Sequence, residues 1–181
     1  MRLFTGIPVS ESFIRAAGGI VENNSGLHRI RWVPAQNLHV TACFIGEQHP
    51  DKLPEIIEKI KRIALTTEPI ILDPDKICLW PSRMPYMVWA LFMENNQFTS
   101  LYRRLEEGLL NQAGKGAVKP HITLARFKAD SEYEKLNLIT QKAAEQLEIN
   151  HLVLYESKLS PAGPDYYPIA DFPFRVSSLN P

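Results

Sequence analysis

The sequence predicts an α+β protein built on antiparallel sheets. Three observations carry that prediction. Amphipathic helical runs and short apolar, β-branched runs are interspersed without a regular strand–helix–strand alternation. Turn signals such as WPSRMP and SPAGPD sit between neighbouring strand-like runs, as hairpins require. Two of the strand-like runs, NLHVTACFIG and KPHITLARF, carry the same His-x-Thr motif in similar surroundings.

The elements follow in order. Arg2 to Val9 reads as a first strand. Ser10 can cap a helix whose apolar face is Phe13, Ile14, Ala17, Ile20 and Val21. Arg31 to Val33 and Leu38 to Gly46 are strands separated by Pro34. In DKLPEIIEKIKRIAL, Leu53, Ile56, Ile57, Ile60 and Ile63 recur at helical spacing. Ile70 to Trp80 and Tyr86 to Met93 form a predicted hairpin around WPSRMP. Phe98, Leu101, Tyr102, Leu105 and Leu109 mark a third helix, which stops before Gly114 and Gly116. Ile122 to Phe127 is the second His-bearing strand. Ser131 and Glu134 fit a capping box for a fourth helix carrying Leu136, Ile139, Ala143 and Leu147. His151 to Leu159 and Tyr166 to Phe174 read as closing strands. Each His-x-Thr strand is followed by a polar stretch and a helix, which suggests an old internal duplication.

Composition narrows the function. Of 181 residues, 45% are hydrophobic, enough for one sizeable core or two small fused lobes. Lys+Arg and Asp+Glu both number 20, so a broad basic surface gripping long stretches of phosphate backbone is not expected. Cys43 and Cys78 lie outside any CxxC, and Cys43 reads as a buried reduced thiol. MRLFTGIPVS reads as a strand rather than a secretion signal, and no run approaches membrane-spanning length. A soluble cytoplasmic protein is the expectation.

In a strand, residues i and i+2 share a face. His39 therefore projects with Thr41, and His121 with Thr123. Two halves related by a pseudo-twofold axis would bring two imidazoles and two hydroxyls to one small volume. Imidazole titrates near neutral pH, so one ring can act as base while its mate acts as acid. The threonines could hydrogen-bond charged oxygens of a phosphodiester held between the rings. A metal site ranks lower, because neither motif carries a carboxylate or a matched cysteine at a suitable offset. Two further alternatives are a nucleotide-binding module of the same shape without turnover, and a structural protein whose His-x-Thr pairs are sheet features.

These residues resemble the 2H phosphoesterase superfamily. More closely, the chain resembles the bacterial and archaeal RNA 2′,3′-cyclic phosphodiesterases, also called 2′-5′ RNA ligases. MRLFTGIPV resembles that family's opening strand, RWVPAQNLHVTACFIGE its first motif block, KPHITLARF its second, and LVLYESKLSPAGPDYYPIADFPF its closing hairpin. The resemblance implies one domain over residues 1–181. Its two pseudo-symmetric, interleaved lobes would each be an antiparallel sheet with helices packed outside, around a central cleft. It implies metal-independent opening of RNA 2′,3′-cyclic phosphate ends to a 2′-phosphate, reversible 2′-5′ ligation, no cofactor and action on RNA ends or short oligonucleotides; a monomer is the expectation. His39 becomes the proton donor and His121 the acceptor, with Thr41, Thr123 and Arg126 at the phosphate.

Strict alternation would turn Arg126 and Phe44, each five past its histidine, away from the cleft. A bulge in each strand would return them, leaving Phe44 as a base-stacking platform or as plain core. Tyr155 and Ser157 are candidate cleft-rim residues, and His28, His49 and His151 read as surface or structural. Asp73 and Asp75 in LDPDK look like paired metal carboxylates, but a turn is the ordinary explanation.

Overall fold

The computed structural model describes residues 1–112, 114, 118–128, 131–138, 146–161 and 163–175. The strands are β1 (Arg2–Pro8), β2 (Ile30–Trp32), β3 (His39–Glu47), β4 (Ile70–Leu72), β5 (Pro74–Trp80), β6 (Met87–Phe92), β7 (His121–Phe127), β8 (Leu147–Ile149), β9 (His151–Ser160) and β10 (Gly163–Pro173). The α-helices are α1 (Glu11–Asn23), α2 (Leu53–Leu65) and α3 (Asn96–Leu110). The architecture is α+β. The main sheet runs β10-β9-β1-β3-β7-β6-β5, with β2 added to β7, and every recorded pairing is antiparallel.

Two lobes meet inside that sheet, β10-β9-β1-β3 on one side and β7-β6-β5 with β2 on the other. The recorded join is one residue pair, Val40 with Ile122, and both side chains are fully buried. α2 and α3 pack against each other, α3 on β3 and α2 on β9 and β10. Thus α3, which lies between β6 and β7 in the chain, crosses to cover the other lobe, and the lobes interleave. A single hydrophobic cluster runs through both, from Leu3 and Val40 to Ile122 and Leu124.

The helices form where the periodicity places them. Ser10 Oγ accepts from Phe13 N at 3.2 Å, and Phe13, Ala17 and Ile20 are buried. α2 buries Ile56, Ile60 and Ala64. Asn95 caps α3 by accepting from Phe98 N at 2.9 Å, and Asn111, at φ 53°, ends it in the left-handed conformation.

Two expectations change. The run Ile70–Trp80 is two strands, broken beside Pro74; β4 leaves the main sheet and pairs with β8. Among the described residues the fourth helix is not formed. Tyr133–Lys135 is one 3₁₀ turn without a side-chain cap, Leu136 is already extended, and Leu147 lies in β8. Leu147 and Ile149 are buried while Glu148 is exposed, a period of two that strand pairing with β4 satisfies. Ile139 and Ala143 lie outside the described residues. Among the described residues no helix is long and apolar enough to cross a membrane.

Candidate active site

The two motif strands are neighbours, and the Val40–Ile122 pair sets their register. One step either way in antiparallel register places His39 toward Thr123 and Thr41 toward His121. The approximate twofold axis therefore passes between the two motifs, and all four side chains line one cleft of about 640 Å³.

β3 and β7 share the burial sequence half-buried, buried, half-buried, buried, buried, exposed, buried from the histidine onward. The two adjacent buried positions mark a bulge. In β3 the pairing to β1 steps from Gly6–Thr41 to Thr5–Cys43, passing over Ala42. In β7 the pairing to β6 steps from Trp89–Thr123 to Val88–Ala125, passing over Leu124. Each bulged residue is the third after its histidine. The extra residue reverses the alternation, so Phe44 and Arg126 both return to the cleft. Phe44 is 67% exposed, which removes it from the core.

Each imidazole is fixed in the same way. His39 Nδ1 lies 2.7 Å from the Asn37 carbonyl, and His121 Nδ1 lies 3.0 Å from the Lys119 carbonyl, two residues upstream in both cases. A carbonyl only accepts, so Nδ1 carries the hydrogen in each ring and Nε2 is the atom left for chemistry. His39 Nε2 is 3.1 Å from Thr41 Oγ1. Burial holds the His39 imidazole below its ordinary range, and the positive fields of His121 and Arg126 push the same way against the Asn37 hydrogen bond. Burial and Arg126 likewise lower His121, opposed by its bond to Lys119. The two rings and the guanidinium thus share one electrostatic neighbourhood.

Their walls differ. Phe4, at 5.0 Å, and Tyr166, edge-on at 5.2 Å, flank the His39 ring. Gly6 makes this packing possible: a Cβ there would lie 3.2 Å from His39 Cδ2, Phe4 Cε2 and Tyr155 Cε2. His121 instead lies flat on Trp89, with centroids 3.6 Å apart, and Trp89 stacks on Trp80. The buried Asn37 side chain anchors the closing hairpin beside the His39 half. Its Nδ2 donates to Pro164 O at 2.9 Å, linking the β9–β10 tip to the turn that precedes His39.

Of the remaining sequence candidates, Ser157 lines the cleft, whereas Tyr155 stacks on Phe4 at 5.1 Å and is not a lining residue. His49 accepts from Asp51 N, and His151 sits near Asp171, both in local contacts. Asp73 accepts from Gln146 Nε2 at 2.7 Å, and no group of three or more His, Cys, Asp or Glu able to hold a metal occurs among the described residues. Cys43 is buried and free, its thiol pushed up to about 12 by burial first and by Glu106 second. Trp89 and Tyr166 were not legible as site residues. Each sits in an ordinary apolar or hairpin run, and only strand pairing brings it to a histidine.

The family description "LigT like Phosphoesterase" matches residues 7–89. A protein of Thermus thermophilus named RNA 2′,3′-cyclic phosphodiesterase is 30% identical over 187 residues, covering 97% of this chain and 91% of that one. The chain belongs to the LigT-like phosphoesterase family. A family relative from Methanocaldococcus jannaschii, also named RNA 2′,3′-cyclic phosphodiesterase, is 29% identical over 178 residues, covering 95% of this chain and 100% of that one. The crystal structure of the Thermus thermophilus protein TT0787 superposes with a TM-score of 0.80 at 25% identity, covering 98% of this chain and 100% of that one. The apo structure of Escherichia coli LigT matches in fold, with a TM-score of 0.76 at 21% identity over 97% of this chain and 98% of that one. The two-lobed arrangement is therefore the family's own.

Proposed function

We propose that this phosphoesterase opens RNA 2′,3′-cyclic phosphate ends to a 2′-phosphate by paired-histidine acid–base catalysis, with no metal in the reaction. The observation that carries the proposal is the pair of imidazoles on facing motifs, each pinned through Nδ1 with Nε2 left for proton transfer. The names of the relatives support the substrate class. Water attacks phosphorus as His121 Nε2 takes its proton. The bond to the 3′ oxygen breaks, and His39 Nε2–H supplies that oxygen's proton. Each role is worth about 10²–10⁴-fold.

In the ligand-free protein both rings are held toward the neutral form. A bound phosphodiester anion opposes that and favours the imidazolium needed on His39. In this reading Thr41, Thr123 and Arg126 donate to the non-bridging oxygens and Phe44 stacks on a base, which their common lining of the cleft supports. With a 5′-hydroxyl in place of water, the same residues would form a 2′-5′ linkage. The core shared by both lobes supports reading residues 1–181 as one domain, and the proposal takes that domain as a monomer acting in the cytoplasm.

The test is a dinucleotide with a 2′,3′-cyclic end, incubated with the protein in EDTA and its product identified. Turnover to a 2′-phosphate is the expected result. Folded protein without turnover sinks the metal-free mechanism, and a 3′-phosphate product overturns the assignment of the 3′ oxygen as the leaving group.

A further inference from the structure

The short strand β2 lies off the main path of the sheet and pairs with β7 alone. Its central residue, Arg31, stands directly opposite Arg126. Directly opposed residues hold their Cβ atoms about 4.5–5.5 Å apart, and like charges so placed destabilise a sheet. Both arginines are exposed and both line the cleft. The chain has 20 acidic residues, yet none forms a recorded ion pair with either arginine among the described residues. Arg126 Nη1 points to the Met87 thioether at 3.1 Å, a weak acceptor for a guanidinium. Arg31 reaches the other way, toward the hairpin tip, where a Cβ on Gly163 would lie 3.8 Å from its Nη1. The two guanidinium groups diverge from a shared base, so each is free to meet a different anion, and neutralising Arg31 in this way would relieve the repulsion.

The position of the pair relative to the histidines gives that anion an identity. Arg126 is close enough to bias both rings. Arg31 is one strand further out, a step of about 4.8 Å. Trp32, Val33 and Pro34 continue the cleft wall from Arg31, while Asp165 faces the space from the hairpin side and repels an anion toward β2. Resting on the reading above, we infer that Arg31 binds the phosphodiester one nucleotide upstream of the cyclic end, next to Arg126 at the cyclic phosphate itself. The substrate is thereby an RNA chain of at least two nucleotides rather than a free cyclic mononucleotide.

The experiment compares kcat/KM for a nucleoside 2′,3′-cyclic monophosphate with that for a dinucleotide bearing the same cyclic end. A third substrate carries an uncharged methylphosphonate at the internal linkage. The wild-type protein is expected to favour the charged dinucleotide about tenfold over both others, the scale of one charge-assisted contact. Arg31→Met should collapse that ratio toward one, and Arg31→Lys should restore part of it. The salt dependence for the dinucleotide should become shallower by about 0.7 in log–log slope in Arg31→Met. Equal preference for all three substrates in the wild type, or an equal loss on all three in Arg31→Met, overturns the inference. A methylphosphonate that performs like the natural linkage also overturns it, because recognition would then lie in the second base. Equilibrium binding of the 2′-phosphorylated dinucleotide product needs no turnover. Should hydrolysis itself fail, about tenfold weaker binding by Arg31→Met still supports the subsite, and equal binding removes it.

Discussion

The half of the cleft built on β3 and the half built on β7 share a frame and differ in their contents. Both strands place a histidine at the start, hold its Nδ1 on a carbonyl two residues upstream, and bulge at the third residue beyond it. The His39 half is then closed in: Phe4 and Tyr166 pack on the ring, the Thr41 hydroxyl lies 3.1 Å from Nε2, and the fifth position is the apolar Phe44. The His121 half is more open, with one face on Trp89 and the cation Arg126 at the fifth position. Duplicated backbone geometry delivers two proton carriers to one place, and the unequal side chains around them allow the carriers different work.

Four tests probe that contrast, beginning with the largest expected effect. Removing either ring should be similarly severe despite the different walls. His39→Ala and His121→Ala are each expected to lose about 10²–10⁴-fold in kcat on a cyclic-ended dinucleotide, with an unchanged circular dichroism spectrum. Because the rings act as a unit, the double variant should lose far less than the product of the two. Losses that multiply would mean that the two halves work independently.

Arg126→Met removes a cation that adds to the effect of burial in holding both histidines low. Both pKa values should rise. The pH profile of kcat/KM should therefore move toward higher pH, alongside a loss of roughly tenfold to a hundredfold from the missing phosphate contact. A profile that stays in place while activity falls would confine Arg126 to binding.

The two threonines sharpen the comparison further. Thr41→Val should lose more than Thr123→Val, by about fivefold, because the Thr41 hydroxyl also meets His39 Nε2 at 3.1 Å. Equal losses measured in kcat would show that the hydroxyls serve the substrate alone.

The smallest effect concerns stability. Both imidazoles are held below the ordinary 6.5 in the folded protein. As pH falls through 6.5, the unfolded chain takes up these protons before the folded one does, so stability is lost on the acid side and unaffected above it. Urea denaturation at pH 7.5 and 5.5 should show a smaller acid-side loss for His39→Asn than for the wild type. An identical loss would mean that other groups govern the acid limb.

Much of this arrangement was legible before any coordinates. The repeat of His-x-Thr named four cleft residues, helical spacing located α1, α2 and α3, and alternation posed the difficulty at Phe44 and Arg126 that required a bulge. Such features are local: they depend on the periods of helix and strand and on the residues' own chemistry. Where a local signal was ambiguous it misled. The run after Ser131 has apolar residues that suit a helix in part, but Leu147 and Ile149 also alternate, and the partner strand β4 decided for β8.

The register that brings residues 39 and 121 together rests on Val40 meeting Ile122, a contact between distant segments that packing in both lobes selects. Trp89 under His121, Gly6 making room for the His39 cluster, and Arg31 opposite Arg126 likewise exist only once strands pair. Residue identity and short-range periodicity determined which groups could move a proton. Long-range pairing and burial decided which of them face one another, which nitrogen is left open, and what charge each one feels.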